Sequence, residues 1–202
     1  MMPAKAVIWD IGNVMVRWDP RTLYCKIFPD PAERERFLSS VCTMDWHLRH
    51  DLGVTFAENR APLLARHPQY ASQIRAWEDR WWEMFSGLIP ETEAAIEALE
   101  AAGVPQYGLS NMSHEVIDGI VAMSPAFGRL KDIVISAETA IMKPDRRIFD
   151  QACQRFGLQP AEAFFVDDSA RNIEGARALG FHTHHFTDPA ALRPALEGAG
   201  LL

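Results

Sequence analysis

Hydrophobic residues occur along the chain in short uninterrupted runs that end abruptly in polar residues. Such runs are typical of strands that are buried on both faces of a sheet. The clearest are Ala6–Trp9, Tyr107–Leu109 and Ala163–Val166, followed by the weaker Ile133–Ile135 and Phe181–Phe186. Between the runs, apolar residues recur at helical spacing over Glu91–Ala102, Ser113–Val121, Arg146–Phe156 and Arg171–Leu179. Strands that alternate with helices predict an α/β fold with a parallel sheet.

One long segment interrupts this alternation. From about residue 19 to residue 90 the apolar positions keep helical spacing, and no strand is predicted there. Tryptophans are concentrated in or beside this segment, at Trp18, Trp46, Trp77, Trp81 and Trp82. We interpret most of them as a small core of their own. The pattern therefore predicts an all-helical insertion at 19–90 and a main domain formed by 1–18 and 91–202.

Composition narrows the class of protein and of partner. Of the 202 residues, 48% are hydrophobic and 23% are charged, a balance typical of a globular protein. The formal net charge of -7 argues against a nucleic acid or an anionic membrane as partner. No apolar run is long enough to span a bilayer or to serve as a signal peptide, and the three cysteines have neither disulfide nor zinc spacing. These features favour a cytoplasmic protein that acts on a small molecule, and they leave its oligomeric state open.

Polar side chains that could take part in catalysis or in metal binding directly follow the predicted strands. Asp10, Ser110 and the pair Asp167 and Asp168 each stand at a strand end, and Lys143 lies in a loop ahead of a helix. Ligands of open parallel sheets collect at this edge, so we expect the five side chains to converge. Three carboxylates in one place require a cation, and oxygen ligands without His or Cys favour Mg²⁺. An ammonium and polar amides beside them suit a phosphoryl group, whose transfer depends on positioning and charge neutralisation.

Four sequence motifs carry these residues. They read VIWDIGNV around Asp10, GLSN at Ser110, MKPD at Lys143, and FFVDDSARNIEGA at Asp167 and Asp168. In their order and spacing the chain resembles the haloacid dehalogenase-like hydrolase superfamily. The resemblance implies a Rossmann-like parallel sheet core with an all-α cap domain of the first (C1) class inserted after the first strand. Within the superfamily the first motif is most similar to that of small sugar-phosphate phosphatases, which reads DLGNV.

The resemblance also implies a role for each motif residue. Asp10 is expected to be the nucleophile that forms an aspartyl-phosphate intermediate, and Lys143 to hold both Asp10 and the phosphoryl group. Phosphate binding is expected from Ser110, Asn111 and Lys143, with Asn172 as a supporting contact. The implied Mg²⁺ ligands are the side chains of Asp10 and Asp168, Asp167 through water, and the backbone carbonyl of Gly12. The implied substrate is a sugar phosphate or a similar small phosphorylated metabolite.

The chain departs from the superfamily at one position. Most of its phosphatases carry a second Asp two residues after the nucleophile, as general acid and base, and here that residue is Gly12. A positioned acid or base contributes about 10²–10⁴ in rate. We favour a substrate with a good leaving group, such as an anomeric sugar phosphate, because the DLGNV-type phosphatases share the gap. Two alternatives stay open: weak hydrolysis in a protein that mainly binds its ligand, or a substitute acid among His47, His50, Asp51 and Asp19.

Two other functions compete with a phosphatase. A haloacid dehalogenase also uses an Asp nucleophile, but it attacks carbon and needs no metal. Small polar residues replace the acidic pair in such enzymes, so Asp167 and Asp168 favour phosphate. The second competitor is a catalytically weak module that binds a phosphorylated ligand. Among the remaining candidates, we expect His47 and His50 at the surface and His182, His184 and His185 at a sheet edge, and we hold Trp46 and Phe56 as candidates to stack on a substrate.

Overall fold

The computed structural model describes residues 3–202, and its centre is a five-stranded parallel sheet. Its strands are β1 (Ala6–Trp9), β4 (Gln106–Ser110), β5 (Ile133–Ile135), β6 (Ala163–Asp167) and β7 (His182–His185), in the spatial order β5-β4-β1-β6-β7. Every neighbouring pair of these strands runs parallel. The strand order grows outward from β1 in both directions, so the switch in topology lies beside the end of β1. The predicted α/β fold is confirmed.

The sheet is buried between two layers of helix because its side chains alternate between two apolar clusters. Val7 and Trp9 of β1 belong to one cluster, and Ile8 belongs to the other. The helices of this part of the chain are α6 (Pro90–Ala101), α7 (Ile117–Val121), α8 (Arg146–Phe156), α9 (Ala170–Ala178) and α10 (Leu192–Gly198). Helix α8 ends at Gly157, whose φ of 68° is the left-handed conformation that favours glycine at a helix end.

A second group of helices forms the predicted cap. It contains α1 (Pro20–Tyr24), α2 (Pro31–Ser40), α3 (Met44–Asp51), α4 (Phe56–Arg66) and α5 (Ala71–Asp79). Side-chain caps fix several of their starts: Thr43 accepts a hydrogen bond from the Trp46 N–H, and Thr55 forms a capping box with Glu58. Trp77 of α5 is only 1% exposed and lies among the other aromatic rings of these helices. The interpretation of this tryptophan as core is confirmed.

The expectation of an all-helical segment is wrong at one point. β2 (Val16–Trp18) and β3 (Phe85–Leu88) form a two-stranded antiparallel ribbon at the two ends of the cap. β3 has four residues, one of them glycine, and is only partly buried, so its sequence carries no strand pattern. Its pairing depends on a partner far away in the sequence. The proposed boundary at residue 19 therefore cuts between strands that pair with each other.

Helix α7 begins at Ile117 rather than at Ser113. The Ser113 hydroxyl accepts a hydrogen bond from the Glu115 N–H at 3.2 Å, a local turn that competes with helix formation. None of the helices within residues 3–202 is long and apolar enough to cross a membrane.

Candidate active site

Asp10 stands at the end of the central strand. Its N–H donates to the Val166 carbonyl at 2.9 Å, which continues the pairing of β1 with β6. Its Oδ1 accepts hydrogen bonds from the Ile11 N–H at 2.7 Å and from the Ser110 hydroxyl at 2.9 Å, and lies 3.0 Å from the Lys143 ammonium. Its Oδ2 forms no hydrogen bond with the described residues. The contacts thus fix the carboxylate through one oxygen and leave the other without a partner in residues 3–202.

Lys143 joins the strand ends to one another. Its Nζ donates to the Leu109 carbonyl at 2.7 Å and to Asp167 Oδ2 at 2.7 Å, in addition to its contact with Asp10. Three partners engage all three ammonium hydrogens. The side chain is 1% exposed, and burial opposes its charge, but the nearby Asp10 and Asp167 prevail and raise the pKa of Lys143. The lysine is therefore held charged beside Asp10.

Asn111 fixes the backbone of that lysine. Its side chain donates to the Lys143 carbonyl at 3.1 Å and accepts from the Lys143 N–H at 2.8 Å. Both ends of the Asn111 amide are therefore engaged in positioning. A phosphate contact from this residue would have to come from its backbone N–H, and its role in phosphate binding stays a prediction.

Three carboxylates meet beside the lysine. Asp10, Asp167 and Asp168 each place an oxygen within 4.8 Å of the others. Asp167 is fully buried and accepts hydrogen bonds from Lys143, from the Ser169 N–H and, as expected for a supporting residue, from Asn172. Burial raises the pKa of Asp168, as does the charge of Asp167, and burial likewise raises the pKa of Asp10 against the opposing effect of Lys143. Three carboxylates against one ammonium leave two negative charges, which fits a divalent cation with oxygen ligands.

A cavity of about 150 Å³ lies above these residues, between the main domain and the cap. Gly12, Ser110 and Asn111 belong to its lining. Most of the remaining lining is apolar and includes Val16, Trp18, Trp81, Met112, Val116 and Ile120, which we call the apolar wall. The cap also contributes His47 and Asp51 to the lining.

Comparison with known proteins assigns the chain to a family. The model of the haloacid dehalogenase-like hydrolases matches residues 4–180. The chain belongs to this family. It is therefore a hydrolase, as its motifs indicate.

Relatives of this hydrolase are named for two different reactions. The chain is 35% identical over 94 residues to (S)-2-haloacid dehalogenase 1 of a Pseudomonas species, a match that covers 46% of this chain and 41% of that protein. It is 27% identical over 200 residues to the sesquiterpene phosphatase astK of Aspergillus oryzae, covering 93% and 92% of the two chains. The matched region thus spans about two fifths of the dehalogenase but nearly all of the phosphatase.

Solved structures of the family share the fold. A HAD family enzyme from Bacteroides thetaiotaomicron, solved with magnesium and inorganic phosphate, has a TM-score of 0.70 at 22% identity and covers 94% of this chain and 98% of its own. A dehalogenase structure has a TM-score of 0.70 at 21% identity, with coverage of 95% and 96%. At these identities the likeness concerns the fold alone.

The four candidate acids of this hydrolase lie in different places, and their places decide which of them can reach a ligand. His47 and Asp51 line the cavity. His50 lies inside the cap, where its ring nitrogens contact the Val54 carbonyl and the Asn59 side chain. Asp19 caps α1 by accepting from the Arg21 N–H, and its side chain is 52% exposed. Of the four, only His47 and Asp51 are in a position to contact a ligand in the cavity.

Two expectations about cap side chains are wrong. His47 is 7% exposed and His50 is fully buried, because their shared face turns toward the aromatic interior rather than toward solvent. Trp46 packs inside the cap against Trp77 at 5.2 Å and donates to the Asn59 carbonyl, and Phe56 packs against His50 at 4.4 Å. Trp18 and Trp81 line the cavity instead. The sequence gives one indication that this pair lies near the site, because Trp18 follows the first motif closely.

The remaining histidine expectation is confirmed. His182, His184 and His185 lie on β7, an edge strand of the main sheet.

Proposed function

We propose that this hydrolase cleaves phosphomonoesters with Mg²⁺ bound at the acidic cluster, by transfer of the phosphoryl group to Asp10. The observation that carries the proposal is the meeting of Asp10, Asp167 and Asp168 within 4.8 Å. A nucleophilic attack on carbon needs one carboxylate, whereas two more beside it add repulsion unless a cation balances them. A substrate with its own negative charges adds to that need, and Mg²⁺ readily bridges carboxylates and phosphate.

The side chains divide the work of this reaction. An Asp10 oxygen attacks phosphorus, so that the O–P bond to the carboxylate forms and the bond to the ester oxygen breaks. Water then attacks phosphorus, and inorganic phosphate leaves while the Asp10 carboxylate is restored. Lys143 orients Asp10 and offsets charge on the phosphoryl oxygens, and the Ser110 hydroxyl donates to the same Asp10 oxygen that Lys143 contacts. Mg²⁺, held by Asp10, Asp168, the Gly12 carbonyl and Asp167, would neutralise the phosphoryl oxygens further.

The apolar wall indicates what kind of organic group the phosphate ester carries. Sugar hydroxyls that are taken out of water need hydrogen-bond partners, and the only N–H groups on the side chains of this wall, those of Trp18 and Trp81, are themselves buried away from solvent. One relative that matches over nearly its whole length is named a sesquiterpene phosphatase. We therefore favour an apolar organic group over the sugar that the first motif suggests. A cavity of about 150 Å³ is roughly the size that admits a benzene-sized group.

A substrate panel with Mg²⁺ tests this proposal. It compares isopentenyl, cyclohexyl and geranyl phosphates with glucose 1-phosphate, glucose 6-phosphate and phosphoglycolate. We expect kcat/KM at least about 10-fold higher for the five- and six-carbon apolar esters than for the sugar phosphates, since a buried unpaired hydroxyl costs roughly 1–3 kcal/mol. Activity should disappear with a chelator and in Asp10→Asn. Turnover that survives the chelator, or no turnover of any ester, would contradict the proposal.

Dehalogenation is the second candidate, favoured by the 35% identity to a dehalogenase over its matched region. It predicts halide release from (S)-2-haloacids without added metal. The same preparations, assayed for halide in the presence of a chelator, distinguish the two reactions. Asp168 should be dispensable for dehalogenation but required for phosphate release.

A further inference from the structure

Because residue 12 is a glycine, this position of the main domain offers no proton donor for the ester oxygen that leaves phosphorus. Two residues after the nucleophile there is no side chain, and apart from Gly12 and its two chain neighbours none of the described residues has a heavy atom within 4 Å of the place a Cβ would occupy. The cavity reaches this position. An acid that serves the reaction must therefore enter from another element that lines the same cavity.

Asp51, the last residue of α3, reaches that cavity from the cap. Its backbone is tied to the main domain, because its carbonyl accepts a hydrogen bond from the Ser136 hydroxyl. Ser136 in turn accepts from the Met112 N–H at 3.0 Å. Asp51 is thus fixed relative to the loop that follows Ser110.

The backbone just after Asp51 fits closely against the same part of the main domain. Gly53 has a φ of +89°, and a Cβ at this position would lie 3.0 Å from the Ala137 carbonyl oxygen. Only glycine fits this conformation and this approach without strain. The cap therefore contacts the main domain directly beside Asp51, which fixes the backbone that carries this carboxyl.

The surroundings of Asp51 place its proton affinity in the neutral range. Burial raises the pKa of Asp51, and the charge of Lys143 lowers it in part, which leaves it at about 7. His47 Nε2 lies 3.9 Å from Asp51 Oδ1, but burial and the neighbouring His50 lower the pKa of His47 to about 3, so His47 is neutral. Asp51 consequently populates both its acid and its base form near neutral pH, as a group with both duties requires.

Other charged groups near Asp51 are already paired or absent from the packed faces. Glu138, in the turn that α3 packs on, forms an ion pair with Arg155. The buried face of the neighbouring α4 consists of Phe56, Asn59 and Leu63, none of which titrates. Burial and the charge of Lys143 therefore set the charge of Asp51.

We propose that Asp51 is the general acid and base of the reaction at Asp10, in place of the side chain that Gly12 lacks. This inference rests on the proposed phosphatase function. In the first step the Asp51 carboxyl gives its proton to the ester oxygen as the P–O bond breaks, and the alcohol leaves. In the second step the Asp51 carboxylate takes a proton from the water that attacks phosphorus, and phosphate and the Asp10 carboxylate are released. Protons balance over one turnover.

The test compares two leaving groups in Asp51→Asn. An alkyl phosphate needs the proton, so its turnover should fall by about 10²–10⁴. Nitrophenyl phosphate releases a stable phenolate without it, so the first step should survive while water attack slows. We expect a burst of one nitrophenolate per enzyme, followed by slow turnover and an accumulated phosphoenzyme. The part of the wild-type pH dependence near neutrality that comes from Asp51 should be lost.

Two further variants serve as controls. Asp45→Asn makes the same change on the exposed part of α3 and should leave the rate and the burst at the wild-type values. Asp51→Glu keeps a carboxyl group and should restore part of the alkyl phosphate turnover, which a purely structural role of Asp51 does not predict. It also provides the test if Asp51→Asn does not fold.

The outcomes separate this inference from the proposed function. Wild-type pH dependence and unchanged alkyl phosphate turnover in Asp51→Asn would overturn the role of Asp51 alone, and so would equal losses for both esters without a burst. If the wild-type protein turns over neither ester, the proposed function itself fails.

Discussion

Two neighbouring parts of the site surround a buried carboxyl group with different partners. At the charged floor, which consists of Asp10, Lys143, Asp167 and Asp168, two carboxylates lie within 3.0 Å of the ammonium and all three lie close to one another. On the cap side of the cavity, Asp51 is equally buried but has no cation in contact with it among the described residues. Burial raises the pKa of both Asp10 and Asp51 to about 7, but only the floor has a charged lysine in contact and a carboxylate cluster that fits a divalent cation to favour the ionised form. Burial alone does not assign a role, because the neighbouring charge decides which form persists.

Removal of one carboxylate from the floor should have the largest effect. Asp168 is partly exposed, so Asp168→Asn changes charge with little change in packing. We expect kcat/KM for phosphate esters to fall roughly 10³-fold, the size typical of a lost electrostatic contact to the reacting group, with partial recovery at high Mg²⁺. Turnover measured against Mg²⁺ concentration checks this. Asp150→Asn, at an exposed position of α8, is the control, and an unchanged Mg²⁺ dependence in Asp168→Asn would argue against metal at the floor.

The environment of Asp51 should also be visible in stability. Its pKa rises from 3.8 in the unfolded chain to about 7 in the folded one, so the folded form favours the proton. The resulting stability is fully present below pH 4 and is lost as pH rises to 7. Between about pH 4 and pH 7, the free energy of unfolding of Asp51→Asn should therefore rise by roughly 2–4 kcal/mol relative to that of the metal-free wild type. Denaturant unfolding at several pH values measures the difference, and a flat difference would mean that Asp51 is ionised in the folded protein.

An acidic side chain at position 12 should take over the task of Asp51. The space beside Gly12 is open, and its φ lies outside the range that favours glycine, so Gly12→Asp is sterically acceptable. In the Asp51→Asn background we expect it to recover about 10- to 100-fold of the lost alkyl phosphate turnover, part of what a positioned acid contributes. Steady-state rates of the single and double variants form the measurement. If Asp51→Asn lowered the rate by the same factor with Gly and with Asp at position 12, the two positions would not share a task.

The smallest effect should come from the wall itself. Val116→Thr replaces a methyl group by a hydroxyl of nearly the same size in a lining residue that is 4% exposed. We expect KM for isopentenyl phosphate to rise about 5- to 10-fold with little change in kcat, because the buried hydroxyl costs roughly 1 kcal/mol. Val121→Thr, at an exposed position of α7, is the matched control. A KM that is insensitive to Val116→Thr would place the organic group of the substrate elsewhere.

The floor and Asp51 also differ in how far the sequence reveals them. Asp10, Ser110 and Asp167 end strands whose apolar runs are evident, and parallel strands bring their carboxyl ends to one edge, so the sequence predicts their meeting. Asp51 ends a helix that carries no such marker, and its role depends on how the cap lies on Ser136. The strand Phe85–Leu88 escapes prediction for a similar reason, since only its distant partner makes it a strand. The assigned roles of the floor residues stay predictions.

The most direct test of the account is the chemical state of Asp10 during turnover. The protein is mixed with nitrophenyl phosphate and Mg²⁺, quenched in acid, digested and analysed by mass spectrometry. We predict a phosphoryl group on the peptide that contains Asp10, more of it in Asp51→Asn than in the wild type, and none in Asp10→Asn or with a chelator. Turnover without a phosphorylated Asp10 peptide in either protein, or a phosphoryl group on another residue, would contradict the account.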